Sequence, residues 1–150
     1  MANVKPIPDG YHTATPYIIV KGAEQFINFL ERGFGAKEKR RMTGVNGEVI
    51  HGEVQIGDSV IMLAEAMGEF KEMPTMIHLY VEDMDAVYKR VLEAGAVTLR
   101  EPVDQFYGDR TAGVRDPFGN QWWISTHIED VSTEEMKKRF NAHMKEQKQN

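Results

Sequence analysis

Not one cysteine occurs in these 150 residues. That excludes disulfides, cysteine-ligated zinc and a thiol nucleophile, and it agrees with a cytoplasmic location. Long apolar runs are missing too. None approaches the ~18 residues of a membrane-spanning helix, so no membrane partner is expected. The opening Met1-Ala-Asn-Val-Lys-Pro-Ile-Pro8 does not read as a signal peptide. Basic residues are scattered, with Lys37-Glu-Lys-Arg-Arg41 the one local cluster, and the net charge is −5. Nucleic acid is therefore not expected as a partner. There is no P-loop, no Rossmann glycine pattern and no G-x-S-x-G elbow. What remains is enough to fold: 41% hydrophobic residues can bury a core and fit one domain over 1–150.

Within that domain the chain is written twice. Aligning Val20 with Val81 lays Thr15-Pro-Tyr-Ile-Ile-Val20 over Met76-Ile-His-Leu-Tyr-Val81. The same offset sets Met62 on Trp123, inside Ser59-Val-Ile-Met-Leu63 and Asn120-Gln-Trp-Trp-Ile124. Two copies of one unit predict a pseudo-twofold fold with a site between the halves.

The first copy, 12–65, follows an irregular arm broken by Pro6, Pro8 and Gly10. Thr13–Val20 reads as a strand. Ala23, Phe26, Ile27 and Leu30 recur at helical spacing until Gly33 and Gly35. Lys37–Met42 is a strand, Gly44-Val-Asn-Gly47 a turn, and Glu48–Ile56 with Ser59–Ala64 a hairpin across Gly57-Asp58. The second copy, 75–128, repeats the order. It has a strand at Met76–Val81, a helix from Met84 to Gly95 and a strand at Val97–Pro102. A loop at Asp104–Asp109 follows, then strands Thr111–Arg115 and Gln121–His127 around the turn Asp116-Pro-Phe-Gly-Asn120. Asp109 and Arg110 read as a loop ion pair. Ser132 and Glu135 form a capping box that opens a last helix, 132–146, with Met136, Phe140 and Met144 on one face. The fold class is α+β, two β-α-β-β-β modules plus a C-terminal helix.

Alternation along strands sorts the side chains. A two-residue turn at Gly57-Asp58 pairs Glu53 with Met62, Val54 with Ile61 and His51 with Ala64. Val54, Ile56, Ile61 and Leu63 then pack on the helices, which leaves His51, Glu53, Gln55, Val60 and Met62 on the other face. In module two Ile77, Leu79 and Val81 are the packed set. Met76, His78 and Tyr80 turn away, and Trp123, Ser125 and His127 share a face. Only one of Trp122 and Trp123 can lie in the core. His12, His127 and His143 are expected at the surface. The outward faces mix Met, Trp and Tyr with two His and one Glu, a composition suited to a small-molecule site.

The paired units, with Gly57-Asp-Ser-Val-Ile-Met-Leu63, His78-Leu-Tyr-Val-Glu-Asp83 and Asp116-Pro-Phe-Gly119, resemble the vicinal oxygen chelate superfamily. That superfamily includes glyoxalase I, extradiol dioxygenases and bleomycin-resistance proteins. Phe106-Tyr-Gly-Asp-Arg110 and the helix after Val131 are similar, more narrowly, to its PhnB-like subgroup. The resemblance implies a divalent metal held by one pair of residues from each module, and a homodimer. Its metal positions fall here on Thr15, Met62, Met76 and Trp123, where His, Gln or Glu would be needed. None of the four is a credible ligand for zinc, nickel or iron.

Two functions stay open. One is metal-independent binding of a small, aromatic or antibiotic-like organic ligand, lined by Thr15, Tyr17, Met62, Met76, Tyr80 and Trp123, with no cofactor. The other is a glyoxalase-like lyase or dioxygenase-like enzyme that uses His51, Glu53 and His78, either as a relocated divalent-metal triad or as acid–base groups.

Overall fold

Gly57-Asp58 sets the register of the first sheet. Gly57 takes φ 55°, which glycine adopts without the Cβ penalty of other residues. The strands it joins, β3 (Val49–Ile56) and β4 (Ser59–Glu65), pair Glu53 with Met62 and Val54 with Ile61 as the sequence predicts. The computed structural model describes residues 3–149. β1 (Tyr17–Val20) runs parallel to β4, and β2 (Lys37–Thr43) runs antiparallel to β3, which gives the order β1-β4-β3-β2. Helix α1 (Ala23–Phe34) covers one face of this sheet.

Module two repeats the plan. β5 (Met76–Tyr80), α2 (Met84–Glu93), β6 (Val97–Asp104), β7 (Asp109–Arg115) and β8 (Gln121–His127) give the order β5-β8-β7-β6. The pseudo-symmetry is visible in register: Tyr17 faces Met62 in one parallel pair, and His78 faces Trp123 in the other.

The modules join through their helices. A Cβ on Gly33 of α1 would lie 3.0 Å from Val91 Cγ1 of α2, so only glycine permits this approach without movement. Phe118 of module two packs edge-on against Phe26, and Phe34 packs on Trp122. One continuous core results, with Trp122, Phe26, Ile18, Leu63 and Ile124 sealed inside it. The outward sheet faces are left to chemistry.

Several boundaries move, each for a local reason. β1 starts at Tyr17 and not Thr13, because Pro16 cannot donate to the ladder; its carbonyl instead accepts from Met62 N at 3.0 Å. β6 runs through Pro102 to Asp104. It is an edge strand, and a register shift between Arg100 and Val103 lifts the proline out of the pairing. β7 starts at Asp109, which shortens the preceding loop. Arg110 does not pair with Asp109; it reaches Asp85 (3.0 and 3.1 Å) and Asp104 (3.0 Å). The last helix, α3 (Thr133–Gln149), is capped by Ser132 Oγ accepting from Glu135 N at 3.1 Å. The reciprocal half of the box is absent, since the Glu135 carboxylate turns to Arg139. Among the described residues no helix is long and apolar enough to cross a membrane.

Candidate functional site

Glu53 lies on the β3 face that points away from the core, yet it is only 3% exposed. The N-terminal arm covers it. The Tyr11 hydroxyl donates to one carboxylate oxygen, and His51 Nε2 lies 2.7 Å from the other. A carboxylate only accepts, so in the neutral ring the proton sits on Nε2. Nδ1 then accepts from the Tyr17 hydroxyl at 3.0 Å. The result is a chain of four side chains, Tyr11–Glu53–His51–Tyr17. Burial pushes the Glu53 carboxyl upward, and the bonds from Tyr11 and His51 outweigh it, so the net shift is downward. The Tyr11 hydroxyl is raised by its bond to this carboxylate, and that of Tyr17 by burial.

Module two carries a separate polar chain on its outward face. His78 Nε2 lies 3.0 Å from Ser125 Oγ, which lies 2.7 Å from Thr111 Oγ1. Tyr80 donates to Asp109 Oδ2 at 2.9 Å, and His127 Nδ1 contacts Asp109 Oδ1 at 2.8 Å. Asp109 is buried like Glu53. His127 is half exposed and bridges to Asp130 at 2.7 Å. Asp109, Ser125 and Thr111 are therefore the buried partners in these contacts, and sequence reading did not single them out as a network. The alternation of β8 did place Ser125 and His127 beside Trp123.

Trp122 is sealed in the core and Trp123 faces outward, as one of the two had to. The Trp123 indole lies across Gly113, where an added Cβ would come within 2.6 Å of the ring. Its Nε1 donates to Gln121 at 3.2 Å, and the Arg100 guanidinium stands 5.4 Å from the ring centroid. This is a flat aromatic surface backed by bare backbone.

Three hollows border these groups. A chamber of about 360 Å³ lies between the arm and the first sheet, lined by Ile7, Tyr11, Thr15, Arg40, Glu53 and Met62. A wider hollow of about 440 Å³ is mostly apolar, with Tyr17, Ile19, Ile50, Met67 and Phe70, and its carboxylate, Glu65, is already engaged by Gly22 N and Ala23 N. A small one of about 150 Å³ lies where β4 approaches β5 and brings Thr15 and His78 together. Specific binding needs a few placed polar groups in an apolar wall. The arm chamber meets that requirement, so it and not the larger hollow is the candidate site. Met76 and Tyr80 are 64% and 65% exposed on the second sheet, away from Glu53.

The donors at the metal positions implied by the resemblance are a threonine hydroxyl, two thioethers and an indole (Thr15, Met62, Met76, Trp123). They do not fit a divalent transition metal. His51 and Glu53 bond each other, whereas His78 sits on the other sheet against Ser125. Among the described residues no three His, Asp or Glu side chains form a group able to hold a metal.

Comparison with known proteins places the fold. Residues 11–124 match the Glyoxalase/Bleomycin resistance protein/Dioxygenase superfamily. An uncharacterized protein of Mycobacterium bovis is 33% identical, over 85% of this chain and 91% of its own. Among solved structures, TioX from Micromonospora sp. ML1 superposes with a TM-score of 0.65 at 20% identity, covering 77% of this chain and 99% of that one. A PhnB protein from Bacillus cereus, described as a putative 3-demethylubiquinone-9 3-methyltransferase, gives 0.63 at 16% identity over 77% and 99%. At such identities the structural likeness speaks for the fold alone.

Proposed function

The chain belongs to the Glyoxalase/Bleomycin resistance protein/Dioxygenase superfamily, and from that premise we propose a cytoplasmic protein that binds a small organic ligand without a metal cofactor. One observation carries the reading: at the superfamily's metal positions stand Thr15, Met62, Met76 and Trp123, soft, apolar or weakly donating side chains that suit an organic surface better than a cation. Met62 and Thr15 line the arm chamber beside Glu53. Trp123 offers a ring face for a planar molecule. Placement in the PhnB-like subgroup is supported by the Bacillus cereus neighbour and by the helix after Val131.

The ligand class is an aromatic or antibiotic-like organic molecule. The assembly we propose is a homodimer of about 34 kDa, twice the 17.1 kDa chain, since two outward sheet faces with open edges need covering. Light scattering at micromolar concentration reads that mass, and a 17 kDa monomer would contradict it.

A second reading is favoured by the His51–Glu53 pair. A buried carboxylate orienting an imidazole is also the arrangement of a general base, so an enzyme acting on the bound molecule is the alternative. One experiment separates the readings. The dialysed protein is assayed for metal content and screened by fluorescence and thermal shift against aromatic antibiotics and metabolites. The ligand-binding reading expects far less than one metal per chain and saturable ligands that survive unchanged. Stoichiometric zinc, nickel or iron overturns it, and ligand turnover lost in His51→Ala would establish the enzyme.

A further inference from the structure

Tyr11 holds the arm against the sheet by two ties. Its hydroxyl donates to Glu53, and its ring lies under Lys39, whose Nζ stands 4.4 Å from the centroid. The arm on either side of Tyr11 has no regular structure between residues 3 and 16. Gly10, just before it, takes φ 84° inside a turn closed by Tyr11 N donating to Pro8 O at 3.1 Å, a conformation that glycine adopts without strain. Behind this attachment lies the chamber of about 360 Å³, with Glu53 on its wall.

We propose that this chamber is a binding site for an organic ammonium or amidinium group, with Glu53 as its counter-ion and Tyr11 as a latch that the ligand displaces. The proposal rests on the ligand-binding reading above; it adds the charge class of the ligand and the way in.

The two donors on Glu53 are not equivalent. His51 is fixed on β3 and backed by Tyr17. Tyr11 is carried by the irregular arm and can leave without disturbing a strand. Its bond is a neutral O–H donating to a carboxylate. A cationic N–H donor replaces that bond and adds the attraction of opposite charges, so the exchange leaves no acceptor unpaired and gains an ion pair. An uncompensated departure of Tyr11 would instead leave a buried charge short of a donor. The site therefore stays shut until a cation arrives. The bonds from Tyr11 and His51 lower the Glu53 carboxyl, and the His51 bond remains when Tyr11 leaves. Arg40, the cross-strand partner of Glu53, also borders the chamber and its charge helps to lower the carboxyl, but it is exposed, so solvent weakens its competition with a bound cation. An anion would have to lie against the buried carboxylate. Ile7 and Met62 supply apolar wall for the rest of the molecule.

The test uses three probes of one shape: benzamidine (cation), benzamide (neutral) and benzoate (anion). Each is titrated by calorimetry into the wild type, Tyr11→Phe and Glu53→Gln, and amide hydrogen exchange over residues 3–12 is followed by mass spectrometry. The wild type should prefer benzamidine by about tenfold or more, as expected of a charge-assisted bond. Benzamidine should speed exchange in the arm. Tyr11→Phe should bind benzamidine several-fold tighter with an arm that already exchanges fast, and Glu53→Gln should lose the preference. If Glu53→Gln does not fold, Tyr11→Phe decides alone, since it removes only a hydroxyl. Unchanged affinity and unchanged arm exchange in Tyr11→Phe overturn the latch while leaving ligand binding in place. A preference for benzoate or benzamide overturns the cation site. If no probe binds any variant, the cation site is overturned, while the ligand-binding reading still stands or falls on the screen described above.

Discussion

Glu65 and Thr126 hold equivalent places in the two modules, and each satisfies the N-terminus of its own module's helix. The Glu65 carboxylate accepts from Gly22 N (2.8 Å) and Ala23 N (3.0 Å) at the start of α1. Thr126 Oγ1 accepts from Met84 N (2.9 Å) at the start of α2 and donates to Val81 O (2.8 Å). Gly22 has no side chain with which to cap α1, whereas Asp83 accepts from Ala86 N to cap α2. The last strand of each sheet thus ties the helix to the sheet, and module one depends on that tie more.

Glu65→Ala should accordingly cost more stability than Thr126→Val. Loss of a cap that also carries charge at a helix N-terminus amounts to about 1–2 kcal/mol, and loss of one hydroxyl bond to about 1. Chemical denaturation of the two variants and of Glu65→Gln checks the order. Glu65→Gln should lie between wild type and Glu65→Ala, because it keeps one acceptor. A Glu65→Ala protein as stable as the wild type would show the contact to be idle.

Asp116 is the second stability prediction. Oδ1 accepts from Phe118 N (2.8 Å) and Asn120 N (2.9 Å), and Oδ2 from Asn120 Nδ2 (3.1 Å) and Trp122 Nε1 (2.8 Å). The residue is buried, so Asp116→Ala leaves several donors inside without partners. That should cost about 3 kcal/mol or more. It should also free the β7–β8 turn and let acrylamide reach Trp122, which is sealed in the wild type. Fluorescence quenching reads the second effect independently of the first.

Gly113 tests the aromatic surface. Its φ is not positive, so an alanine there meets no backbone strain. The obstacle is steric, 2.6 Å from Cβ to the Trp123 ring. Gly113→Ala should lift the indole, raise its quenching and cost about 1–3 kcal/mol. In a Trp123→Ala background the same substitution should be close to neutral. A full cost in both backgrounds would mean that Gly113 serves something other than the ring.

The fold was legible where local rules governed it. A two-residue turn set the β3–β4 register, so alternation alone placed Val54 and Ile61 inside and Glu53 and Met62 outside. The same logic separated Trp122 from Trp123. β6 was only half legible, because Pro102 reads as a stop unless a bulge removes it from the ladder. The site was less legible, for a different reason. Tyr11 reaches Glu53 across 42 positions, and Tyr80 reaches Asp109 across 29. No periodicity reports contacts of that range, and an irregular arm has no face to read. Proximity in sequence suggests a pair between Asp109 and its neighbour Arg110. In the sheet, adjacent residues point to opposite faces, which sends Asp109 to Tyr80 and His127 and Arg110 to Asp85.

His127 and Glu53 set opposite limbs of the pH dependence. The His127 imidazole is raised above its ordinary value by its bond to Asp109 first and to Asp130 second. Tyr80 is the other group held on Asp109. A raised folded value means that the stabilisation is complete below the unfolded value of about 6.5 and fades as pH rises through the folded one. His127 is half exposed, so solvent weakens this contribution. Glu53 works in the other direction. Its lowered carboxyl stabilises above about pH 4.3 and loses that contribution as pH falls. Thermal unfolding from pH 3.5 to 9 of wild type, His127→Gln and Glu53→Gln tests both. His127→Gln should flatten the decline above neutrality and leave the acid limb intact, and Glu53→Gln should do the reverse. If His127→Gln still loses stability above pH 6.5 with the wild-type slope, another group titrates there and the bridge from β7 to Asp130 is not what holds that end of the sheet.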